Sequence, residues 1–357
     1  MAENRIRVLI VDDSVVARMV LQQVIREDPL LEIAGAESSG QAALDKLAIL
    51  RPDIVILDVE MPGMNGVETV AALRARDLRL PVIMFSAYTE AGAAVTIEAL
   101  SRGASDFVTK PAQTATADEA MSVVREQLLP KIKALAKVRR RPPSETIPVA
   151  DESSVSWKVS PQRSPIELVC LAASTGGPEA LETVLTALPA NFPVPIAIVQ
   201  HMPAFFTKQL ARRLGEKCAI RVREAQSGEP LEPGTALIAP GEFHLEVRRR
   251  DARCYAITNT RPAENSCRPA ADVLFRSAAE EFGSQTLAVV MTGMGLDGLK
   301  GCEAVQKAGG RVVIQDEATS VIWGMPGAVS RAGLASKELP LDKIAAEIIR
   351  RALEGRL

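Results

Sequence analysis

Three residues of the types that together perform nucleophilic catalysis follow three apolar stretches of this 357-residue chain. Ser174, His201 and Asp297 each come directly or shortly after one stretch, and the stretches are 166–172, 194–200 and 286–291. A serine hydroxyl needs a base, histidine is a base near neutral pH, and a carboxylate orients the histidine. Short apolar runs are typical of strands buried in a parallel sheet, whose carboxyl ends share one edge. We therefore expect the three side chains to meet at that edge.

The loop that begins with Ser174 permits other roles when it is considered alone. It reads Ser-Thr-Gly-Gly-Pro, and a helical pattern follows from Glu179. A serine before a helix is commonly an N-cap, and a Gly-rich turn between strand and helix commonly binds phosphate. The loop lacks the G-x-S-x-G nucleophile elbow and the lysine of a P-loop. The three roles are balanced until the partners of Ser174 are considered.

The partners of Ser174 also have structural interpretations. A buried histidine often only satisfies a hydrogen bond in the core, and an aspartate in a turn often caps a helix, which for Asp297 alone is the better interpretation. The chain has two histidines, and His244 follows no Gly-rich strand end, so we assign it a structural role. The combination of Ser174, His201 and Asp297 favours catalysis.

A second group of chemically active residues lies in the first third of the chain. Five residues stand where apolar runs end, and they are Asp12, Asp13, Asp58, Ser86 and Lys110. Carboxylates crowded at one sheet edge repel one another and need a hard divalent cation, for which Mg²⁺ with oxygen ligands is suited. An aspartate beside Mg²⁺, a lysine and a hydroxyl can accept a phosphoryl group. Aspartates that merely close strands explain one or two of these positions, not the set.

The elements that must position these residues alternate between strand and helix patterns. Residues 1–130 contain five strand–helix pairs, which predicts a doubly wound parallel α/β sheet. Residues 166–357 repeat the alternation, which predicts a second α/β domain with a mostly parallel sheet. Three short runs interrupt that second alternation and are expected to form a small antiparallel β insert: 236–239, 244–247 and 254–258.

Composition limits the class of protein. The net charge is −2, with −7 over residues 1–130, +5 over 131–165, and 22 basic and 22 acidic side chains over 166–357. This balance gives no electrostatic footprint for nucleic acid. The segment 131–165 is basic and rich in Ser and Pro, which predicts a linker between domains 1–130 and 166–357. Five cysteines without a C-x-x-C pair indicate free thiols, and no apolar run or leader predicts membrane insertion or secretion, so we expect a cytoplasmic protein.

Residues 5–130 resemble a response-regulator receiver domain, through the motifs VDDS, ILDVEMPGMNG, MFSA and FVTKP. The resemblance implies a flavodoxin-like fold with a five-stranded parallel sheet, and Asp58 as the phosphoacceptor. It implies that Lys110 binds the phosphoryl group and that Ser86 and Phe107 form a switch pair, with Ser86 where the family often has Thr. It also implies a Mg²⁺ site formed by Asp12, Asp13, Asp58 and the backbone carbonyl of Glu60.

Residues 166–357 resemble the catalytic domain of chemotaxis protein-glutamate methylesterases, the CheB family. The motifs that carry this resemblance are AASTGGP, VQHMP, APGEFHL, RPAADVLF, VVMTGMGLDG and IQDEATSVIWGMP. It implies a Rossmann-like fold, with Ser174 as nucleophile, His201 as general base and Asp297 as its orienting carboxylate. Thr175 and Met294 would lie near the reacting centre, with backbone N–H groups as candidates for the oxyanion hole. The resemblance also implies that this domain needs no cofactor.

The two resemblances together imply a phosphorylation-activated serine hydrolase. Its substrates would be γ-glutamyl methyl esters, and glutamines for deamidation, on methyl-accepting chemotaxis receptors. Its phosphodonor would be a chemotaxis histidine kinase, the receiver would inhibit the catalytic domain until Asp58 is phosphorylated, and the protein would be a monomer. Two alternatives stay open at this point. One is a non-catalytic module whose Ser174 loop binds phosphate or a nucleotide; the other is a DNA-binding output domain, against which the balanced charge of 166–357 argues.

Overall fold

The computed structural model describes residues 5–111, 117–140, 165–251 and 253–356. The chain divides into two compact units, Met1–Arg140 and Arg141–Leu357. Within the described residues, none of the helices combines the length and the apolar character needed to cross a membrane. The five cysteines all lie in the described ranges and are free, as expected.

The first unit is a five-stranded parallel sheet in the order β2-β1-β3-β4-β5, with helices between the strands. This is the flavodoxin-like strand order, so the predicted doubly wound fold is confirmed. The elements are β1 Ile6–Val11, α1 Val15–Arg26, β2 Leu31–Glu37, α2 Gly40–Leu50, β3 Ile54–Asp58, α3 Gly66–Arg76, β4 Val82–Ser86, α4 Glu90–Ser101, β5 Asp106–Thr109 and α5 Ala117–Arg140.

Local sequence explains where these elements begin and end. The central strands β3 and β4 are buried throughout, which is why their sequences are nearly continuous apolar runs. Helix α1 begins after Ser14, whose side chain accepts a hydrogen bond from Ala17 N–H, and α3 begins with a capping box between Asn65 and Glu68. These caps fix the helices that follow the carboxyl ends of the strands.

The last helix of this unit overlaps the expected linker. The sequence predicts a helix to about Lys137, with the linker counted from residue 131, and α5 continues through Pro130 to Arg140. Its second half packs on the unit, because Ile132, Leu135 and Ala136 are buried. The first ten residues of the expected linker are therefore helical, and residues 141–164 of it lie outside the described residues.

The second unit is built on a seven-stranded sheet in the order β15-β14-β13-β6-β7-β10-β8, and each neighbouring pair is parallel. Its elements are β6 Leu168–Ala173, α6 Gly177–Thr186, β7 Ile196–Gln200, α7 Ala204–Lys217, β8 Arg221–Glu224, β9 Glu229–Pro230, β10 Thr235–Ile238, β11 His244–Arg250, β12 Arg253–Asn259, α8 Ala271–Phe282, a 3₁₀ turn Gly283–Gln285, β13 Thr286–Val290, α9 Leu299–Lys307, β14 Arg311–Gln315, α10 Met325–Arg331, β15 Lys337–Leu339 and α11 Leu341–Leu353.

The predicted antiparallel insert is present but differs in one member. Strands β11 and β12 form a hairpin, and β9 pairs with β12. The run 236–239, which we expected in the insert, belongs instead to β10, between β7 and β8 of the main sheet. All four residues of β10 are buried, and so short an apolar run has no period that distinguishes a hairpin strand from a core strand.

The order of strands in the second sheet has one switch point. The chain starts at β6, extends through β7, β8 and β10 on one side, and returns through β13, β14 and β15 on the other. The direction of winding therefore changes between β6 and β13. In open α/β sheets ligands bind at the carboxyl ends of the strands at such a switch point.

Candidate functional site

Ser174 lies at the switch point of the second sheet, directly after β6. Its N–H donates to the carbonyl of Thr292, which follows β13, at 3.0 Å. The hydroxyl of Thr292 donates to the carbonyl of Thr175 at 2.9 Å. A Cβ added to Gly293 would lie 2.8 Å from Ser174 Cβ, so only glycine permits this approach of the two loops. The loops after β6 and β13 are thus packed closely and hydrogen-bonded to each other.

The N-cap interpretation of Ser174 does not agree with the structure. Helix α6 has Gly176 as its N-cap, at φ 77°, without a side-chain hydrogen bond. A side chain at Gly176 would collide with Val321, 2.6 Å from its Cγ2, so both the left-handed backbone and the contact require glycine. The half-buried Ser174 side chain is therefore not used to begin the helix.

His201 follows β7, the strand beside β6. Its N–H donates to the carbonyl of Ala173 at 3.1 Å, so its backbone adjoins the residue before Ser174. Its Nε2 lies 2.7 Å from Asp297 Oδ2. The His201 side chain is 12% exposed and that of Asp297 is 2% exposed. The structure thus joins two of the three predicted residues in a hydrogen bond and places the third at the end of the adjacent strand.

Asp297 is held by several donors besides His201. The backbone N–H groups of Ala271 and Asp272, at the start of α8, donate to its two oxygens at 2.6 and 3.1 Å. Asn265 Nδ2 donates to Oδ1 at 2.9 Å. Burial acts to raise the pKa of Asp297, but the hydrogen bond from His201 and those from the backbone outweigh it and keep that pKa below its usual value. A carboxylate at a helix N-terminus is stable as an anion.

This anion controls the protonation of His201. Burial acts to lower the pKa of His201, but the hydrogen bonds with Asp297 and Cys267 outweigh it and raise that pKa to about 10. Because an ionised carboxylate only accepts hydrogen bonds, Nε2 carries a proton. Nδ1 is then the nitrogen that exchanges protons with the rest of the site, and Cys267 Sγ lies 3.7 Å from it.

A tight turn brings Cys267 to this position. Glu264 and Cys267 form a two-residue β-bridge with hydrogen bonds of 3.0 and 2.8 Å. Between them Asn265 and Ser266 both have left-handed backbones, at φ 52° and 61°, as in a type I′ turn. Arg276 of α8 donates two hydrogen bonds to the Glu264 carboxylate, at 2.7 and 2.6 Å, and anchors the turn.

Three residues of this site were not predicted from the sequence: Asn265, Cys267 and Gln200. Asn265 bridges Asp297 and Asp272, 2.8 Å from the latter. Gln200 Nε2 donates to the Ser174 carbonyl at 2.9 Å, while its buried Oε1 accepts no hydrogen bond within the described residues. The sequence offers only weak indications of them. Gln200 directly precedes His201, and Asn265 is a residue type that tolerates the left-handed backbone of a tight turn.

His244 is bonded as a structural residue would be. It is buried, with Nε2 3.0 Å from the carbonyl of Pro262. Its Nδ1 accepts from the N–H of Ala270, which precedes α8, at 3.3 Å. Both ring nitrogens are thus occupied by backbone groups, and His244 fixes the start of α8, which holds Asp297.

In the first unit the predicted acidic residues meet at the carboxyl edge of the sheet. Carboxylate oxygens of Asp12, Asp13 and Asp58 lie within 4.8 Å of one another, an arrangement that can hold a metal ion. Lys110 Nζ lies 2.8 Å from Asp58 Oδ1 and 3.1 Å from Asp12 Oδ2. Burial raises the pKa of Asp58 above its usual value despite Lys110. Burial acts to lower the pKa of Lys110, but the two carboxylates outweigh it and raise that pKa.

The remaining residues predicted in this unit lie close to that edge. The Ser86 hydroxyl is buried, donates to the carbonyl of Gly92 in α4 at 3.2 Å and accepts from Thr96 at 2.7 Å. Phe107 is 6% exposed, with Lys131 Nζ 5.5 Å from the centre of its ring. The backbone N–H of Glu60 donates to Asp58; a role of its carbonyl in metal binding stays a prediction.

Comparison with known proteins identifies both units. A family model described as CheB methylesterase matches residues 169–348, and one described as response regulator receiver domain matches residues 8–122. A protein-glutamate methylesterase/protein-glutamine glutaminase of Nocardioides sp. is 48% identical over 355 residues, which cover 98% of this chain and 96% of that protein. The chain belongs to the CheB methylesterase family.

Other relatives agree with membership in the CheB methylesterase family. A protein of Trichodesmium erythraeum with the same name is 46% identical over 349 residues, 97% of this chain and 99% of that protein. The crystal structure of the Thermotoga maritima CheB methylesterase catalytic domain is 42% identical, with a TM-score of 0.51, and covers 52% of this chain and 99% of that one. Both resemblances noted in the sequence are confirmed, and the alternative of a non-catalytic binding module is not favoured.

Proposed function

We propose that this chain is a receiver-controlled serine esterase that hydrolyses γ-glutamyl methyl esters, and deamidates glutamines, on the cytoplasmic helices of chemotaxis receptors. The observation that carries the proposal is the 2.7 Å hydrogen bond between His201 and Asp297 at the sheet edge where Ser174 begins its loop. A histidine held by a buried carboxylate beside a serine is the arrangement that activates a hydroxyl nucleophile. Membership in the CheB methylesterase family supports the substrate class.

In the proposed reaction His201 acts through Nδ1, because Nε2 is occupied by Asp297. In the form of His201 that has no proton on Nδ1, this nitrogen removes the proton of Ser174 Oγ as Oγ bonds to the ester carbonyl carbon. The imidazolium then protonates the methoxy oxygen, and methanol leaves a glutamyl ester on Ser174. Water, deprotonated by the same nitrogen, hydrolyses that ester and returns Ser174 and a glutamate carboxylate. With a glutamine substrate the leaving group is ammonia.

Backbone N–H groups of Thr175 and Met294 are proposed to stabilise the oxyanion. Thr175 follows Ser174 in the chain. Met294 belongs to the loop after β13, and two hydrogen bonds join that loop to the Ser174 loop: Ser174 N–H to the Thr292 carbonyl, and the Thr292 hydroxyl to the Thr175 carbonyl. Donors fixed before the reaction stabilise developing charge without reorganising, and loss of one such donor costs about 10²-fold in kcat. The hydrogen bonds between the two loops support this role, because they fix the backbone of both.

The first unit is proposed to bind Mg²⁺ through Asp12, Asp13, Asp58 and the Glu60 carbonyl, and to be phosphorylated on Asp58 by a chemotaxis histidine kinase. Oxygen donors suit Mg²⁺, and carboxylate oxygens of Asp12, Asp13 and Asp58 lie within 4.8 Å of one another. The ion would supply positive charge at the phosphoryl oxygens. We propose that Lys110 binds the phosphoryl group and that Ser86 and Phe107 form the switch pair that responds to it. We also propose that the protein is a monomer and that the receiver inhibits the catalytic unit until Asp58 is phosphorylated.

The proposal is tested by methanol release from methylated receptor membranes. Wild type and Ser174→Ala are compared with and without a small-molecule phosphodonor and Mg²⁺, and Asp58→Asn serves as a control for the receiver. We expect release by wild type to rise with the phosphodonor, release by Asp58→Asn to stay at the basal rate, and none by Ser174→Ala. Release by Ser174→Ala at the wild-type rate would contradict the assignment of the nucleophile.

A further inference from the structure

The ring nitrogen of His201 that faces away from Asp297 has a thiol as its neighbour. Cys267 Sγ lies 3.7 Å from Nδ1, within hydrogen-bond distance for sulfur. Sulfur and imidazole nitrogen are donors that Zn²⁺ prefers. With Zn–S of about 2.3 Å, Zn–N of about 2.05 Å and a tetrahedral angle, two such ligands of one zinc ion lie about 3.6 Å apart. The two atoms are therefore already separated by the distance that a shared zinc ion requires.

The other side of the imidazole is arranged as in known zinc sites. A histidine that binds zinc usually donates its second N–H to a carboxylate, which fixes the ring and makes the free nitrogen a better ligand. Here Asp297 accepts from Nε2 at 2.7 Å and is itself fixed by the first N–H groups of α8. The ring therefore presents Nδ1 toward Cys267 without any change in the Asp297 hydrogen bonds.

Hydrogen bonds of the surrounding turn fix the position of Cys267. The turn from Glu264 to Cys267 is closed by two backbone hydrogen bonds and anchored by Arg276. Both Cys267 and His201 are partly exposed, so that an ion from solvent can reach the two donor atoms. Cys170, Cys254 and Cys302 are buried in strands or helices and lack such access.

We propose that His201 Nδ1 and Cys267 Sγ form an inhibitory binding site for Zn²⁺, which rests on the proposed function of His201 as the general base. The ion replaces the proton of the thiol and any proton on Nδ1, and water completes its coordination. Nδ1 then has no lone pair for the proton of Ser174, so ester hydrolysis stops while zinc is bound. Mg²⁺ does not compete, because it prefers oxygen ligands.

The experiment uses the full chain with millimolar Mg²⁺ to saturate the carboxylates of the first unit. Methanol release is titrated with buffered Zn²⁺ for wild type, Cys267→Ser and Cys218→Ser, each normalised to its own rate without zinc. Cys218 is the matched control, because it is also a partly buried free cysteine but lies at the end of α7. We expect the zinc concentration for half-inhibition to rise at least tenfold in Cys267→Ser, to be unchanged in Cys218→Ser, and chelator to restore activity.

A second measurement does not depend on activity. Co²⁺ is added in place of Zn²⁺, and the thiolate-to-cobalt charge-transfer absorption is recorded for the same three proteins. We expect the band in wild type and Cys218→Ser and its loss in Cys267→Ser. Equal zinc inhibition of wild type and Cys267→Ser, or a cobalt band that persists in Cys267→Ser, would overturn the zinc site. Absence of methanol release without zinc would contradict the proposed function, and the cobalt band would still decide the site.

Discussion

Two buried aspartates in this chain differ in what surrounds their oxygens, and the difference matches their proposed roles. Burial raises the pKa of Asp58, and Lys110 only partly opposes this effect. Asp297 is also buried, but His201 and two backbone N–H groups lower its pKa. Asp58 lies beside other carboxylates and can bind a metal ion and accept a phosphoryl group. Asp297 has its oxygens occupied by hydrogen-bond donors, so its proposed role is to orient His201. At the scale of the residue, burial decides the direction of the pKa shift at Asp58, and hydrogen-bond donors decide it at Asp297.

Gln200 offers a prediction at this scale. Its Nε2 donates to the Ser174 carbonyl, and its buried Oε1 accepts no hydrogen bond within the described residues. In Gln200→Met the carbonyl keeps only the hydrogen bond from Gly177, and Ser174 is held less firmly. We expect kcat/KM for methanol release to fall about tenfold. The free energy of unfolding should change by less than about 1 kcal/mol, because an unpaired buried oxygen is removed together with the hydrogen bonds of Nε2 to the carbonyls of Ser174 and His201.

The control for this change is Gln226→Met, since Gln226 is exposed and lies far along the chain from the Ser174 loop. Steady-state kinetics and urea unfolding are measured for both variants. Equal kcat/KM values in the two variants would show that Gln200 does not position Ser174. A large loss of stability in Gln200→Met alone would assign it a structural role instead.

At the scale of the element, the turn from Glu264 to Cys267 carries a second prediction. Asn265 has φ 52° and donates to both Asp297 and Asp272. Asn265→Gly keeps the backbone conformation and loses both hydrogen bonds, whereas Asn265→Ala also strains the left-handed backbone by about 1 kcal/mol. We expect kcat to fall about fivefold in both variants, and Asn265→Ala to be about 1 kcal/mol less stable than Asn265→Gly.

Kinetics and thermal unfolding of the pair separate the two effects of Asn265. Unchanged kcat in both variants would mean that Asp297 does not need the asparagine. A lower kcat in Asn265→Ala alone would mean that the turn conformation matters and the hydrogen bonds do not.

A third prediction concerns α11 and acid. Burial acts to raise the pKa of Glu347, but hydrogen bonds from Arg350, Arg351 and Lys337 outweigh it and hold that pKa far below the usual 4.5. A carboxylate whose pKa is lowered on folding stabilises the fold above its unfolded pKa, and this contribution disappears as pH falls below about 4.5 toward the folded pKa. Glu347→Gln leaves the buried Arg351 without its charge partner, so we expect a loss of about 3 kcal/mol at pH 7.

The pH dependence distinguishes this ion cluster from ordinary packing. The difference in free energy of unfolding between wild type and Glu347→Gln should shrink as pH falls from 6 to 3, because wild type loses the contribution that the variant lacks throughout. Urea unfolding at several pH values measures it. Glu338→Gln is the exposed control, for which we expect less than about 1 kcal/mol. A difference that stays constant with pH would contradict the electrostatic explanation.

Some of the elements could be predicted from the sequence and others could not. Strand ends were predictable, because apolar runs followed by Ser174, His201 or Asp58 reveal both the strand and its carboxyl end. Strand β10 was assigned wrongly to the insert, because four apolar residues do not reveal their neighbours. Asn265 and Cys267 were missed, because their turn contains no glycine and lies 30 or more residues from Asp297 and His201 in the chain. Only the packing of α8 brings that turn to the site.

At the scale of the whole molecule, each unit has a complete sheet of its own. The first has five parallel strands and the second seven, and the core of the second includes β6, β7, β13 and the insert. We therefore expect residues 165–357 of this chain to fold alone and to retain Ser174, His201 and Asp297 in place.

This independence makes control by the receiver testable. If the unphosphorylated first unit holds the esterase inactive, the fragment 165–357 should release methanol faster than the full chain without phosphodonor, and phosphodonor with Mg²⁺ should not change the rate of the fragment. The full chain should approach the rate of the fragment when Asp58 is phosphorylated, since a phosphoryl group beside Lys110 shifts an equilibrium between two states. Circular dichroism and Ser174→Ala within the fragment control for folding and for background. A folded fragment no faster than the unphosphorylated full chain would contradict inhibition by the receiver, because the catalytic residues of both proteins are identical.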